Sequence, residues 1–318
     1  MVGTFAGLAE GALFTAGGSS WRISYAGGDG NDVSLTAVEP LSNDFGGDFH
    51  SDILWRDDAG VVALWEMDGV TVLTNEAVGT LPAGAEIGAA DGDFNAGGNS
   101  DILVREADGT IRLWQMDGAN IVADTAVATV REFWHIADTG DFNGDGRHDI
   151  LWREDTGSLL LWEMDGPNVI GSTAINNIVV LPTIEAVADF TGDGRADILG
   201  RGANGTVRLW EMDGATIVSD TEIANLPDYW HIVDTGDFNG DFRADILWRD
   251  DAGTVVMWEM DGPNIIGNTA LGTLPDYWLI ADTGDYTGDL RDDILWRDDA
   301  GTIVLWEMNG PTISTIPW

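Results

Sequence analysis

The sequence predicts an all-β protein, most simply a β-propeller of four-stranded antiparallel blades, and two observations carry this prediction. The first is a repeat: six similar acidic loops begin at Asp44, Asp93, Asp141, Asp189, Asp237 and Asp285, at spacings of 49, 48, 48, 48 and 48 residues. A fixed period of this size is typical of propellers and solenoids. The second is the content of each period, which holds short runs of β-branched and aromatic residues separated by turn sequences.

The fifth period shows the four predicted strands most clearly. They are YWHIVDTGDF (229–238), ADILWR (244–249), TVVMWEMDG (254–262) and NIIGNTAL (264–271). The tetrad DDAG and its counterparts EADG, EDTG and GANG suit tight hairpin turns, because glycine takes positive φ freely. No run has the 3.6-residue period of a helix, which excludes helical repeats. Four antiparallel strands in each repeat predict propeller blades.

The period divides the chain into two parts. Residues 41–318 carry six repeats and predict six blades. Residues 1–40 do not fit the period and predict an N-terminal β-rich cap or linker, or else a seventh blade without a loop. Within them GGDGNDVSL (27–35) overlaps the calcium-binding nonapeptide of RTX proteins, but one copy cannot stack into a β-roll.

Composition excludes several classes of partner. The 318 residues include 55 acidic and 14 basic side chains, a formal charge of −41, and no cysteine. So large a negative charge repels nucleic-acid phosphate and anionic membrane surfaces. No apolar run approaches the ~18 residues of a membrane span. The start of the sequence has no secretory signal, so we expect a cytosolic protein or a piece of a longer secreted one.

The loop DFNGDGRHD (141–149) predicts a calcium site. Its positions 1, 3, 5 and 9 are Asp141, Asn143, Asp145 and Asp149, and position 7, Arg147, adds a backbone carbonyl. Alternating oxygen ligands on a tight loop are what Ca²⁺ requires, whereas Mg²⁺ prefers a stricter octahedron and retained waters. The loop is not an EF-hand, because strands flank it and no glutamate stands at position 12.

All six loops are predicted to bind, giving up to six Ca²⁺ ions, although an ordinary acidic turn is the alternative for any single copy. The second loop, with Gly97 at position 5, is predicted to be the weakest site and the first, with Gly46 at position 3, the next weakest. In addition to the third loop, the predicted ligands are Asp44, Asp48, His50, Asp52, Asp93, Asn95, Asn99, Asp101, Asp189, Thr191, Asp193, Arg195, Asp197, Asp237, Asn239, Asp241, Arg243, Asp245, Asp285, Thr287, Asp289, Arg291 and Asp293.

The repeat DFNGDGRxDILWR, followed by GTVxxWEMDG, resembles the FG-GAP/VCBS-type repeat of bacterial extracellular proteins. It is similar to the calcium-loaded blades of integrin α-subunit propellers and of bacterial and fungal propeller lectins. The resemblance covers about residues 41–318. It implies Ca²⁺ on one rim, adhesion or glycan binding, and a place at the cell surface or outside the cell within a longer secreted protein.

Tryptophans recur in three columns. One, with Trp258, is present in every repeat and is interpreted as blade packing. The other two are missing from some repeats and are candidates for stacking on sugars, although core packing remains the competing interpretation. These candidates are Trp55, Trp152, Trp248 and Trp296 in one column, and Trp134, Trp230 and Trp278 in the other.

The functional prediction is therefore a calcium-stabilised propeller that binds glycans multivalently, with a structural or protein-interaction propeller as the alternative. No enzyme is expected, because no histidine has a partner that suggests a nucleophile or a general base, and the metal loops explain the recurring aspartates. The arginine after each second strand, such as Arg201, is expected to pair with acidic neighbours. Exposure of the two incomplete tryptophan columns would distinguish the two hypotheses.

Overall fold

The fold is known from a computed structural model that describes residues 5, 8–9, 12–16, 19–27, 32–38, 41–176 and 183–317. The described residues form strands and turns without a helix, and so none contributes a helix that could span a membrane. Residues 28–31, which form part of the candidate RTX nonapeptide, lie outside the described residues. The first three strands, β1 (Leu13–Ala16), β2 (Ser19–Gly27) and β3 (Asp32–Val38), form a sheet of their own in the order β1-β2-β3.

The remaining strands form six blades in chain order. Blade 1 is β4 (Ile53–Arg56), β5 (Val61–Asp68) and β6 (Thr71–Thr80); blade 2 is β7 (Glu86–Gly92), β8 (Asp101–Arg105), β9 (Thr110–Asp117) and β10 (Asn120–Thr129); blade 3 is β11 (Trp134–Gly140), β12 (Asp149–Glu154), β13 (Leu159–Asp165) and β14 (Asn168–Ile175). Blade 4 is β15 (Thr183–Ala188), β16 (Asp197–Arg201), β17 (Thr206–Asp213) and β18 (Thr216–Asn225); blade 5 is β19 (Trp230–Gly236), β20 (Asp245–Asp250), β21 (Thr254–Asp261) and β22 (Asn264–Thr273); blade 6 is β23 (Trp278–Gly284), β24 (Asp293–Asp298), β25 (Ile303–Asn309) and β26 (Thr312–Pro317).

Every blade is an antiparallel meander whose strands pair in sequence order. The first strands of blades 2 to 6 are neighbours, β7 against β11, β11 against β15, β15 against β19 and β19 against β23, so they line the axis. In blades 2 to 6 the acidic loop joins the inner strand to the second strand, and in blade 1 it directly precedes β4, the counterpart of those second strands. All six loops therefore lie on one rim, here called the loop rim. The DDAG-type hairpins and the connections between blades lie on the other, here called the turn rim.

Backbone hydrogen bonds on the loop rim close the ring at six blades. In every loop the amide at position 8 donates to the carbonyl of the position-1 aspartate in the preceding blade; from blade 1 to blade 6 this is Ser51 to Asp285, at 2.8 Å. In a second series, the glycine in the turn between the last two strands of each blade donates its amide to the carbonyl of the position-2 residue in the preceding blade. From blade 1 to blade 6 this bond joins Gly69 to Tyr286, at 2.7 Å. The N-terminal strands are therefore not a seventh blade, and the six-bladed prediction is confirmed.

The core lies between neighbouring blades. Between blades 4 and 5, for example, Phe190 and Leu209 pack with Trp248, Trp258 and residues around them. The indoles of Trp248 and Trp258 lie 4.8 Å apart, on adjacent strands of one blade. Trp258 is 6% exposed. The column present in every repeat therefore packs blade against blade, as predicted.

Two glycines with similar backbone angles test how tightly the turns are packed. Gly253, in a DDAG hairpin, has φ +86° and an added Cβ would lie 1.9 Å from the carbonyl oxygen of Leu274. Gly146, in an acidic loop, has φ +78° and no atom within 4 Å of an added Cβ. We expect Gly253→Ala to lower the free energy of unfolding by about 3 kcal/mol or more, and Gly146→Ala by only about 1 kcal/mol. Chemical denaturation of both variants measures the difference; equal losses would contradict it.

Candidate functional site

The acidic loops share one backbone conformation built on two left-handed residues. In the third loop these are Gly144 and Gly146, at positions 4 and 6. Position 6 does not require glycine, because Phe49, Phe242 and Leu290 adopt the same conformation there, with φ of 67°, 65° and 65°. A side chain in this region costs about 1–2 kcal/mol, so the loop conformation is held by other interactions.

The position-1 aspartate supplies those interactions. Asp141 accepts the amides of Gly144 (2.7 Å) and Asp145 (3.1 Å) on Oδ1, and that of Gly146 (2.7 Å) on Oδ2. In all six loops Oδ2 accepts the amide of position 6, at 2.7–2.9 Å. One carboxylate thus folds the turn around itself.

The position-9 aspartate ties the loop to its blade. Asp149 is fully buried, and its Oδ1 accepts the amide of Met164 from the third strand at 2.9 Å. The same bond, to the methionine of the WEM or WQM segment, occurs in all six blades. The methionine was not recognised in the sequence as a partner of the loop, because its contribution is a backbone amide and carries no side-chain signal.

The remaining predicted ligands of the third loop also form hydrogen bonds and ion pairs. Asn143 donates to Asp149 Oδ2 at 3.4 Å, and Asp145 Oδ1 accepts the amide of Arg147 at 3.0 Å. The guanidinium of Arg147 lies 3.6 Å from Asp145 and 3.3 Å from Asp165. The loops with Arg195, Arg243 and Arg291 repeat the pairing with the position-5 carboxylate, and in the first loop His50 lies 3.4 Å from Asp48.

The second loop differs as its sequence predicts. Gly97 leaves position 5 without a carboxylate, and Asn95 donates to Asp101 Oδ2 at 3.0 Å. The side-chain amide nitrogen of Asn99 donates to the carbonyl of Met116 at 3.3 Å. This loop therefore offers two carboxylates to a cation, whereas each of the other loops offers three.

Burial and mutual repulsion raise the pKa of the position-9 carboxylates in every loop. Burial is the larger cause and the position-1 carboxylate adds to it, while the methionine amide opposes both. The pKa rises to about 8 for Asp149, Asp245 and Asp293. It rises to about 7 for Asp52, Asp101 and Asp197. A bound cation would favour the charged carboxylates and so lower these pKa values.

The donor set fits a hard cation. Carboxylate, amide, hydroxyl and carbonyl oxygens are the ligands that Ca²⁺ takes. In the sixth loop two of the predicted ligand atoms, Asp293 Oδ2 and Thr287 Oγ1, are buried without a hydrogen-bond partner. Across the described residues no three His, Cys, Asp or Glu side chains are already gathered as a metal cluster. Each loop has at most three carboxylates, and in the five loops with an aspartate at position 5 that carboxylate pairs with the side chain at position 7.

The raised pKa values predict how the metal-free protein responds to pH. Its folded state binds more protons than the unfolded state, whose aspartates titrate near 3.8, so the stabilising protons are lost as pH rises toward about 8. We expect urea unfolding in EDTA to show a lower free energy of unfolding at about pH 8 than at about pH 5. Excess Ca²⁺ should reduce or reverse this trend, because it binds the deprotonated loops. A metal-free protein that is more stable at the higher pH would contradict the raised values.

The structure corrects the sugar-stacking prediction for one tryptophan column. Trp152, Trp248 and Trp296 are each 1% exposed and belong to the inter-blade core, so they have no face for a ligand. Trp55 is half-buried. The rings of Trp134, Trp230 and Trp278 are also half-buried and lie at the turn rim, where the inner strands begin.

Two exposed aromatic residues at the turn rim were not predicted. Tyr229 is 50% exposed and Tyr277 is 47% exposed. Each lies beside the tryptophan that follows it, with ring centroids 6.4 Å apart in both blades. Their signal is the DYW triplet shared by the fifth and sixth periods.

The recurring arginines hold the turn rim together instead of pairing with acids. Arg201 donates to the carbonyls of Trp230 and Pro227 in the next blade. Its guanidinium carbon lies 5.8 Å from the ring centroid of Trp248. Arg249 repeats both contacts one blade further on, and Arg105 binds the equivalent backbone carbonyls between blades 2 and 3. The expectation of ion pairs is wrong for these three residues.

Two stretches of the chain match a known repeat family. A model of the FG-GAP-like repeat matches residues 93–152 and 189–248. Among solved structures, the chain is similar to the C-terminal WD40 domain of Sif2, with 14% identity, a TM-score of 0.48, and coverage of 86% of this chain and 85% of that one. It is also similar to BBS1N in its complex with ARL6DN, with 12% identity, a TM-score of 0.47, and coverage of 86% and 80%. No curated protein matches the sequence. The chain is a six-bladed β-propeller that carries two FG-GAP-like repeats.

Proposed function

We propose that the protein is a non-catalytic interaction module whose blades are stabilised by Ca²⁺ bound in the acidic loops. We place it outside the cell or on its surface, within a longer secreted protein, where free Ca²⁺ would fill such loops. Its partners would be extracellular proteins, and neither nucleic acid nor membrane insertion is involved.

The proposal that the loops bind Ca²⁺ rests on two buried oxygens of the sixth loop, at positions 9 and 3, that have no hydrogen-bond partner. A buried carboxylate oxygen without a donor is costly, and a cation removes that cost. The same loop geometry recurs in every blade. Ca²⁺ would be held by the position-1, -3, -5 and -9 side chains with the position-7 carbonyl, and would supply the positive charge that the buried carboxylates lack.

The burial of the tryptophans carries the interaction part. Trp152, Trp248 and Trp296 lie in the core, so these three members of their column offer no stacking surface for a sugar. The turn rim instead presents Tyr229 and Tyr277 on connections that are fixed by arginine hydrogen bonds. Exposed aromatic side chains on a rigid frame suit protein recognition.

Carbohydrate binding is the second candidate, and these two exposed tyrosines beside half-buried tryptophans favour it. A glycan-array screen in millimolar Ca²⁺, with an EDTA-treated control, distinguishes the two functions. The protein-interaction proposal predicts a blank array from folded, calcium-loaded protein. Selective binding that Tyr229→Ala abolishes would establish the carbohydrate function in its place.

A further inference from the structure

Blade 1 has three strands in the described part of the chain, whereas each of the other blades has four. In blade 3 the inner strand β11 occupies the seven residues before Asp141. The equivalent inner strand before Asp44 would span residues 37–43. Residues 37 and 38 belong instead to β3, where Ala37 and Val38 pair with β2. Near the loop rim, the amide of Asp52 still donates to the carbonyl of Asn43 at 2.8 Å.

The side chains of β4 are correspondingly less buried than their counterparts. Leu54 and Trp55 are both partly exposed. The equivalent leucine and tryptophan are at most 1% exposed in three other blades: Leu151 and Trp152, Leu247 and Trp248, Leu295 and Trp296. From blade 6, Arg297 approaches Trp55 with its guanidinium carbon 5.5 Å from the ring centroid. The inner edge of β4 is thus an apolar strip that is incompletely covered.

The other blades show what covers this strip. An isoleucine of the inner strand pairs with the tryptophan of the second strand in three blades: Ile136 with Trp152, Ile232 with Trp248 and Ile280 with Trp296. The covering element is always an extended strand, antiparallel to the second strand. An added strand would satisfy backbone groups along the edge, and alternate side chains would give it specificity.

Charge restricts the occupant further. The carboxyl groups of Asp138, Asp234 and Asp282, together with Asp91, repel one another around the axis beside this edge. The chain as a whole carries a formal charge of −41. A strand entering here is therefore neutral or basic.

We propose that the inner edge of β4 binds an extended strand of a protein partner by β-strand addition, with a β-branched apolar residue placed against Trp55. This inference rests on the proposed interaction function and names where and how one partner strand docks. The strand enters from the turn rim, because Leu41–Asn43 already occupy the end near the loops.

The test uses the chain's own inner strand as a probe. A peptide of sequence YWHIV, as in residues 229–233, with blocked ends, is added to the calcium-loaded protein. We expect amide hydrogen exchange in Ile53–Arg56 to slow by about tenfold or more at saturating peptide, and exchange in Asp149–Glu154 to stay unchanged. The matched control peptide YWHDV, with aspartate opposite Trp55, should give no protection.

Three outcomes would overturn the proposal: no protection of Ile53–Arg56, equal protection by the two peptides, or equal protection of Asp149–Glu154. A second measurement uses Trp55→Ala, checked for folding by circular dichroism, in which protection by YWHIV should fall. If the peptide gives no protection, while the glycan array is blank and the melting temperature depends on Ca²⁺, the docking proposal fails and the proposed function stands. Loss of the calcium-dependent melt would count against the proposed function, whatever the peptide does.

Discussion

Chelation of calcium is expected to lower the melting temperature of the protein by more than about 10 °C. Ligand that binds only the folded state stabilises it by about 2.7 kcal/mol for each site at a hundredfold excess over Kd, and six loops are present. Six divalent ions would also reduce the formal charge of −41 to −29, which lessens repulsion within the folded chain. Thermal unfolding in EDTA and in excess Ca²⁺ measures the shift.

A matched variant separates the loops from nonspecific effects of EDTA. Asp145→Asn keeps the turn of the third loop and removes one carboxylate, so the shift caused by chelation should shrink by about one site's share. Asp155→Asn, at an exposed hairpin, removes the same charge and should leave the shift unchanged. An identical melt with and without calcium would contradict the calcium proposal.

Trp248→Ala is expected to lower the free energy of unfolding by about 3–5 kcal/mol, which is typical of a buried tryptophan. Trp248 is 1% exposed, packs in the core between blades 4 and 5, and lies under the guanidinium of Arg201. Tyr229→Ala, at a side chain that is 50% exposed, should change the same quantity by no more than about 0.5 kcal/mol. Urea denaturation of both variants is the measurement. A near-neutral Trp248→Ala would instead favour the ligand-binding interpretation of that column.

The sequence predicts most of the blade because its signals are local. The period of the loops fixes the number of repeats, and the glycine of each DDAG-type turn marks the second hairpin. The loop conformation also follows from spacing, since an aspartate at position 1 meets its amides within five residues. The residue type at position 6 does not follow from the left-handed backbone there, because glycine is not required. Phe242 adopts the same left-handed backbone because its amide donates to Asp237 at 2.7 Å.

The closure of the ring, the partners of the arginines and the burial of the tryptophan column depend on contacts between residues that are distant in the sequence. The ring closes through Ser51 and Asp285, and no local pattern shows whether a seventh blade intervenes. Arg201 has acidic residues nearby in the sequence. Its partners are instead backbone carbonyls of the next blade, 26 and 29 residues further along the chain. Val104 and Gly200 replace tryptophan in the column of Trp248, and in the sequence these replacements suggest a variable surface. In the fold both positions are buried, and the column is interrupted by smaller core residues.

The most direct test of the calcium proposal is a titration of the metal-free protein with Ca²⁺ by isothermal calorimetry at neutral pH. The account predicts saturable binding of up to six ions per chain, with the second loop filling last, and loss of one site in the variant Asp145→Asn. No binding heat, together with no ion retained after dialysis against Ca²⁺, would show that the loops are hydrogen-bonded turns alone.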